Sequence, residues 1–286
     1  MPAQIIDGRA LSKKIRQRIT EESSVLKEKG IIPGLAVILI GDDPASHTYV
    51  NNKKKACEEC GFYSEIYKLP ESTPEADVLE LIEVLKSRKE INGILVQSPF
   101  PKHISEKKIL LAIPPEKDVD AFHPQNVGAI VAGDFDFVPC TPAGVMEMLN
   151  EYNIEVSGKH AVVIGRSNIV GKPMSILLLH KHATVTICHS RTKYLADITR
   201  QADILVAAVG RLGFVTADMV KPGAVVIDVG MNRKEDGKLA GDVDFNGVSE
   251  IAAYITPVPG GVGLMTVAML LQNTLRAACI QNNIVL

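Results

Sequence analysis

Tyr49 and Lys53 stand four residues apart in Gly41-Asp-Asp-Pro-Ala-Ser-His-Thr-Tyr-Val-Asn-Asn-Lys53, just after the aliphatic run Leu35–Ile40. On a helix, residues at that spacing share one face. An amine beside a phenol at the carboxyl end of a strand can move protons. A lysine does so near neutral pH when burial or a nearby cation disfavours its charge. The competing reading is that Lys53, Lys54 and Lys55 form a solvated basic face. Gln97 ends another aliphatic run, Ile94–Gln97, before Ser98-Pro99-Phe100-Pro101, and an amide in a buried strand needs a hydrogen-bond partner. In Lys117-Asp-Val-Asp-Ala-Phe-His123, either Asp118 or Asp120 could bind a ligand amide or ring N–H, and either could instead cap a turn. Pro259, Gly260 and Gly261 fall in a Pro/Gly loop, Thr256–Thr266, whose backbone N–H groups could meet a ligand or simply make a junction.

A second chemistry belongs to His160-Ala-Val-Val-Ile-Gly-Arg-Ser-Asn-Ile-Val-Gly-Lys-Pro-Met-Ser175. A β run ends at Gly165 and a helix starts near Gly171. Free backbone N–H groups and the helix dipole at such a handover can hold a phosphate. The spacing departs from G-x-G-x-x-G because Ser167 stands at the second glycine position. A dinucleotide fold usually carries an acid at the end of its second strand for the ribose 2′-hydroxyl. Here Thr184–Cys188 is followed by His189-Ser190-Arg191-Thr192, with no carboxylate. A hydroxyl and a guanidinium suit a 2′-phosphate, with Arg166 helping from the first loop, so the residues point to NADP over NAD. The alternative is that Ser190 and Arg191 form a solvated turn.

These groups need elements to hold them. Helical spacing covers Leu11–Lys29, Ser46–Cys60, Pro74–Lys86, Thr141–Tyr152, Gly171–His182 and Val262–Cys279. Strand-like runs cover Leu35–Ile40, Tyr63–Leu69, Ile94–Gln97, Ala161–Ile164, Thr184–Cys188, Ile204–Val209 and Ala224–Val229, with a short one near Tyr254. Strands alternating with helices predict parallel α/β sheets. Between Pro114 and Pro142 periodicity fades and Pro, Asp and Gly accumulate, which predicts a crossing between domains. The expected architecture is an N-terminal α/β substrate domain over 1–140 and a Rossmann-like nucleotide domain over 141–265. A cleft lies between them, and a C-terminal helix, 266–286, returns to the first domain.

The chain has 286 residues, enough for two domains, and a formal charge of -2, which gives no reason to expect nucleic acid or an anionic membrane as partner. No run of about 18 apolar residues is present, so no membrane helix is expected. Five cysteines without a secretory signal suggest a reducing, cytoplasmic compartment. Cys57 and Cys60 form a single CxxC pair, read as two thiols on one helix rather than a redox or zinc site; no metal is expected.

Taken together, the segments resemble the bifunctional methylenetetrahydrofolate dehydrogenase/cyclohydrolase family over nearly the whole chain. The carriers are Tyr49-x-x-x-Lys53, Val96-Gln97-x-Pro99-x-Pro101, Lys117-Asp-Val-Asp120-x-Phe-His, Pro139-Cys-Thr-Pro142, Gly165-Arg-Ser-x-Ile-Val-Gly-x-Pro173, Asp228-Val-Gly230, Gly241-Asp-Val243 and Thr256-Pro-Val-Pro-Gly-Gly-Val-Gly263. The resemblance implies tetrahydrofolate one-carbon derivatives as substrates, NADP as cofactor and a homodimer paired through the nucleotide domain. It makes Lys53 the proton-transfer lysine, Tyr49 the residue stacking on the folate, Gln97 the support of the lysine and Asp120 the acid holding the pterin. Gly165, Arg166, Ser167 and Ser190 match its NADP contacts, and Met231 sits where a nicotinamide-side backbone contact is expected.

Three positions depart from the family's pattern: Ser98 stands where leucine is common, Ala121 where glycine is common and Leu264 where proline is common. All flank the folate side. Ala121 matters most, because glycine there would supply backbone freedom. Two rival readings are an NADP-dependent shikimate- or quinate-type dehydrogenase, against which Tyr49 and the Pro/Gly loop favour a flat ring system, and a non-catalytic nucleotide-sensing module.

Overall fold

The computed structural model describes residues 2–285. In chain order the elements begin β1 (Gln4–Ile5), α1 (Gly8–Glu28), β2 (Gly34–Ile40), α2 (Pro44–Glu59), β3 (Tyr63–Leu69), α3 (Glu75–Ser87) and β4 (Gly93–Gln97). Then come α4 (Glu106–Ala112), α5 (Pro124–Ala132), α6 (Cys140–Glu151), β5 (His160–Ile164), α7 (Gly171–His180), β6 (Thr184–Cys188), α8 (Leu195–Thr199) and β7 (Ile204–Ala207). The chain closes with β8 (Val225–Asp228), β9 (Asn232–Arg233), β10 (Leu239–Ala240), α9 (Phe245–Ser249), β11 (Tyr254–Ile255) and α10 (Val262–Gln281).

The chain divides into two α/β units: 14–138 with 267–285, and 2–13 with 139–266. In the first, three parallel strands run in the order β3-β2-β4. The central strand β2 is buried at every residue, as expected for a parallel strand covered on both faces. Ala36, Ile38 and Ile40 pack with Val78, Ile82 and Leu85 of α3 and Ile109 of α4. The second unit holds one six-stranded parallel sheet in the order β1-β11-β8-β7-β5-β6. The strand order reverses at β5, between β6 and β7, which is the doubly wound pattern of nucleotide-binding sheets.

Two expectations are corrected. Residues 2–13, expected with the substrate domain, belong with the nucleotide unit. Gln4 and Ile5 pair in parallel with Tyr254 and Ile255, and Gln4 N donates to Ala253 O at 2.8 Å. Local periodicity cannot reveal so short a strand, whose partner is remote in sequence. The expected crossing between 114 and 142 is also more ordered than its composition suggests, because α5 occupies Pro124–Ala132. His123 caps its start through Nδ1, which accepts from Gln125 N, and Gly133 ends it in the left-handed region at φ 82°.

Among the described residues, α10 has the length and composition of a membrane span, although no unbroken apolar run marks it in the sequence; 61% of its apolar window is buried in the protein. Its buried Asn273 accounts for part of that position: Nδ2 donates to Val119 O at 2.8 Å and Val138 O at 2.9 Å.

Candidate active site

The start of α2 is fixed by Asp43, whose carboxylate accepts from Ser46 N and Ser46 Oγ, both at 2.8 Å, while Pro44 takes the first helical turn. That start sets which face carries Tyr49 and Lys53. The lysine run then splits. Lys54 and Lys55 are exposed, Lys54 pairing with Glu58 at 3.8 Å, whereas Lys53 is half-buried. Lys53 Nζ donates to Gln97 Oε1 at 2.9 Å, and Gln97 Nε2 donates to Ser98 O at 2.7 Å. Gln97 thus has the partner that an amide at the end of β4 requires, and its other end anchors the turn that follows. The solvated-face reading holds for Lys54 and Lys55 but not for Lys53.

The two aspartates of the 117–123 turn separate just as clearly. Asp118 is buried and accepts from His123 N at 2.7 Å and Asn126 Nδ2 at 2.9 Å. Burial raises its pKa, and these hydrogen bonds oppose that rise. Asp118 is therefore the turn's cap, while Asp120 is half-buried two residues on. The turn is tied down from several sides: buried Lys117 donates to Arg88 O at 2.8 Å, and Asn273 holds Val119 O. Ala121 adopts φ 59°, a left-handed conformation that glycine occupies without cost, so this departure falls at the position where backbone freedom matters.

In the nucleotide unit, Gly165 sits at φ 133°, and a Cβ there would come 2.3 Å from Ala208 O. A Cβ on Gly171 would come 2.3 Å from Gly165 O, so the two glycines let the helix pack directly against the end of β5. Ser167 departs from expectation. Its Oγ accepts from Val170 N and Gly171 N, each at 3.2 Å, and its carbonyl accepts from Lys172 N at 3.0 Å. These amides at the helix start, expected to be free for a phosphate, are engaged by the residue that replaces the second glycine. Ile164 and Cys188 are register partners, so the residues following β5 and β6 emerge side by side. Arg166, Ser190 and Arg191 are all exposed there. Arg191 N donates to His189 Nδ1 at 3.2 Å, which shapes the turn.

Around the other strand ends, Met231 is exposed, and its Cε lies 2.8 Å from where a Cβ on Gly263 would be. In the Pro259–Gly261 turn a Cβ on Gly261 would come 2.5 Å from Pro257 O. Asp228-Val-Gly230 and Gly241-Asp-Val243 carry no role that their sequence alone assigns. Both acids are buried, and each lies against the other motif's glycine: a Cβ on Gly230 would come 2.2 Å from Asp242 Oδ1, and one on Gly241 would come 1.8 Å from Asp228 Oδ2. The readable signal was an acid close to a glycine in both motifs. A cavity of about 580 Å³ is lined by Asp228, Gly241, Lys234, Leu239, Pro257 and Val258.

Cys57 and Cys60 are both buried, and burial pushes the Cys57 thiol up to about 12, so neither is poised as a thiolate. Among the described residues, no group of three or more His, Cys, Asp or Glu could hold a metal ion.

Residues 6–120 match the family described as tetrahydrofolate dehydrogenase/cyclohydrolase, catalytic domain, and residues 139–282 match its NAD(P)-binding domain. The bifunctional protein FolD of Polaromonas naphthalenivorans is 58% identical over 278 residues, covering 97% of this chain and 99% of that protein. The crystal structure of the bifunctional methylenetetrahydrofolate dehydrogenase/cyclohydrolase FolD of Campylobacter jejuni superposes with a TM-score of 0.95 at 52% identity, covering 96% of this chain and 98% of that one. The Trypanosoma brucei methylenetetrahydrofolate dehydrogenase-cyclohydrolase, solved with NADP and an inhibitor, gives a TM-score of 0.93 at 42% identity, covering 97% and 98%. With both halves of the chain matched and identity this high over its full length, the chain belongs to the tetrahydrofolate dehydrogenase/cyclohydrolase family.

Proposed function

We propose that the chain oxidises 5,10-methylenetetrahydrofolate to 5,10-methenyltetrahydrofolate with NADP and hydrolyses the product to 10-formyltetrahydrofolate. The observation that carries this reading is the Lys53 Nζ–Gln97 Oε1 hydrogen bond of 2.9 Å, which turns one lysine of a basic run into a held amine. When bound, NADP supplies the hydride acceptor.

The residues at the carboxyl ends of β5 and β6 suit that cofactor. Gly165 and Gly171 let the turn pack closely against the end of β5, and Arg166, Ser190 and Arg191 present two guanidiniums and a hydroxyl with no carboxylate among them. That is the composition a 2′-phosphate requires.

In the substrate unit, Tyr49 offers a flat face one helical turn from Lys53, and Asp120 accepts from the pterin. The methenyl product carries a positive charge at the carbon that water attacks. Lys53 takes the proton released as water adds and returns it to the ring nitrogen as that nitrogen's bond to the carbon breaks; the remaining hydroxyl proton leaves to solvent as the C=O forms, so the formyl group stays on the other nitrogen. Gln97 fixes one N–H of Lys53 and so directs the rest of the amine toward the substrate. Pro259, Gly260 and Gly261 contribute backbone to the folate side, and Met231 to the nicotinamide side.

We further place the enzyme in the cytoplasm as a homodimer paired through its nucleotide unit, with neither nucleic acid nor membrane as partner. All five cysteines are free thiols and the formal charge is -2, both of which suit that assignment. The test is the absorbance of methenyltetrahydrofolate followed with NADP and NAD in parallel. Formation with NADP followed by hydrolytic decay is expected; no formation with either nucleotide would overturn the reading.

A further inference from the structure

Asp242 is wholly buried and takes no part in the chemistry above. Its carboxylate nonetheless accepts four hydrogen bonds. Oδ2 accepts from Val209 N at 2.7 Å and Gly210 N at 2.9 Å, and Oδ1 accepts from Arg211 N at 2.8 Å and Asn232 Nδ2 at 2.9 Å. Four donors fill the lone-pair sites of an ionised carboxylate. A second acid braces the first. Asp228 Oδ1 accepts from Asp242 N and Gly230 N, both at 2.9 Å, and Asp228 Oδ2 accepts from Val243 N at 3.0 Å. The interlock leaves no room for side chains at Gly230 or Gly241.

Three segments are strapped together by this pair: 209–211 after β7, 230–232 after β8, and 241–243. In an open parallel sheet a dinucleotide lies beyond the carboxyl ends of the strands, at the point where strand order reverses. Here that point is the β5/β7 boundary, and the strap holds the segment leaving β7 and the one carrying Met231.

We infer that Asp242 is a positioning residue for the cofactor, setting the backbone of 209–211 and 230–232 against the dinucleotide without touching it. The inference rests on the NADP-dependent reading given above. It explains why an acid is needed: an amide of the same shape would keep one acceptor oxygen but turn its nitrogen toward N–H groups that need an acceptor.

The test is Asp242→Asn, compared with wild type by calorimetric titration of NADP, by dehydrogenase kinetics, and by hydrolysis of methenyltetrahydrofolate without cofactor. The expected result is at least a tenfold loss of NADP affinity and a matching loss of dehydrogenase kcat/KM, with hydrolysis within twofold of wild type. Asn232→Ala, which removes one donor and leaves the acid in place, should lose two- to fivefold in NADP affinity and keeps the test alive if Asp242→Asn fails to fold. Unchanged NADP affinity in the variant that folds would overturn the inference, as would equal losses in both activities, which mark a general folding defect. Wild-type protein that neither binds NADP nor converts folate would instead sink the functional reading itself.

Discussion

The two units use the same kinds of polar residue in opposite ways. In the substrate unit the proposed working groups are side chains: Lys53 is held by Gln97, and Asp120 lies in a turn whose other acid, Asp118, is spent on capping. In the nucleotide unit the buried acids Asp228 and Asp242 face inward onto backbone N–H groups, and glycines let the chain approach closely. Moving a proton calls for a side chain held in a tuned orientation. Binding a long dinucleotide calls for a shaped backbone, and buried carboxylates are an effective way to fix one.

The sharpest break of that comparison is Lys53→Met. It should abolish hydrolysis, a loss of at least about 100-fold, while sparing part of hydride transfer. Decay of methenyl absorbance measures the first and its formation the second; full hydrolytic activity in the variant would remove the lysine from the mechanism.

Next in size is a pH effect from the inward-facing acids. Burial lifts Asp228 to about 6, against the opposing pull of three backbone N–H groups and with a further push from the nearby Asp242 carboxylate. The folded state therefore holds this proton more tightly than the unfolded chain does. The associated stability is present below the ordinary aspartate range and is lost as pH rises from about 4 through about 6, by on the order of 3 kcal/mol. Glu75 has the opposite sign, because Lys108 lowers its pKa and its contribution is lost as pH falls. Chemical denaturation of wild type and Asp228→Asn across pH 4–7 isolates the term. The deficit of the variant should be larger at pH 4.5 than at pH 7, and a constant deficit would show that Asp228 does not titrate in that window.

A smaller effect concerns the exposed cations. Arg191→Ala and Arg166→Ala should each weaken NADP by about tenfold, or ~1.4 kcal/mol, and leave NAD nearly unchanged. Equal losses for the two nucleotides would undo the 2′-phosphate argument. Smallest of all is Ala121→Gly. Relief of about 1 kcal/mol of left-handed strain offsets about 0.8 kcal/mol from the lost buried methyl group, so stability should shift by less than about 0.5 kcal/mol and the folate KM by less than twofold.

The sequence was most legible where one element settles its own fate. The aliphatic run of β2 and the spacing of α3 declare a buried strand and an amphipathic helix, and Gln97 declares that it needs a partner. It was least legible where the partner is backbone from a distant segment. Asp242 meets Val209 N and Gly210 N more than thirty residues away, and no spacing rule connects them. Ser167 breaks a glycine pattern in the sequence, and only the fold shows its hydroxyl accepting from Val170 N and Gly171 N at the start of α7. α5 lay hidden in a Pro- and Gly-rich stretch although both its cap signals, His123 and Gly133, were in view. Asp118 and Asp120 are interchangeable on paper because only the fold shows that Asp118 is buried and accepts from His123 N and Asn126 Nδ2.

Strand β1 has a consequence for how the protein is made. Gln4 and Ile5 find their partners in Tyr254 and Ile255, roughly 250 residues later. β1 is thus synthesised roughly 250 residues before its partner β11 and must wait for that strand before it can pair. Completion of that sheet depends on this one long-range pairing, and β1 acts as its final stitch.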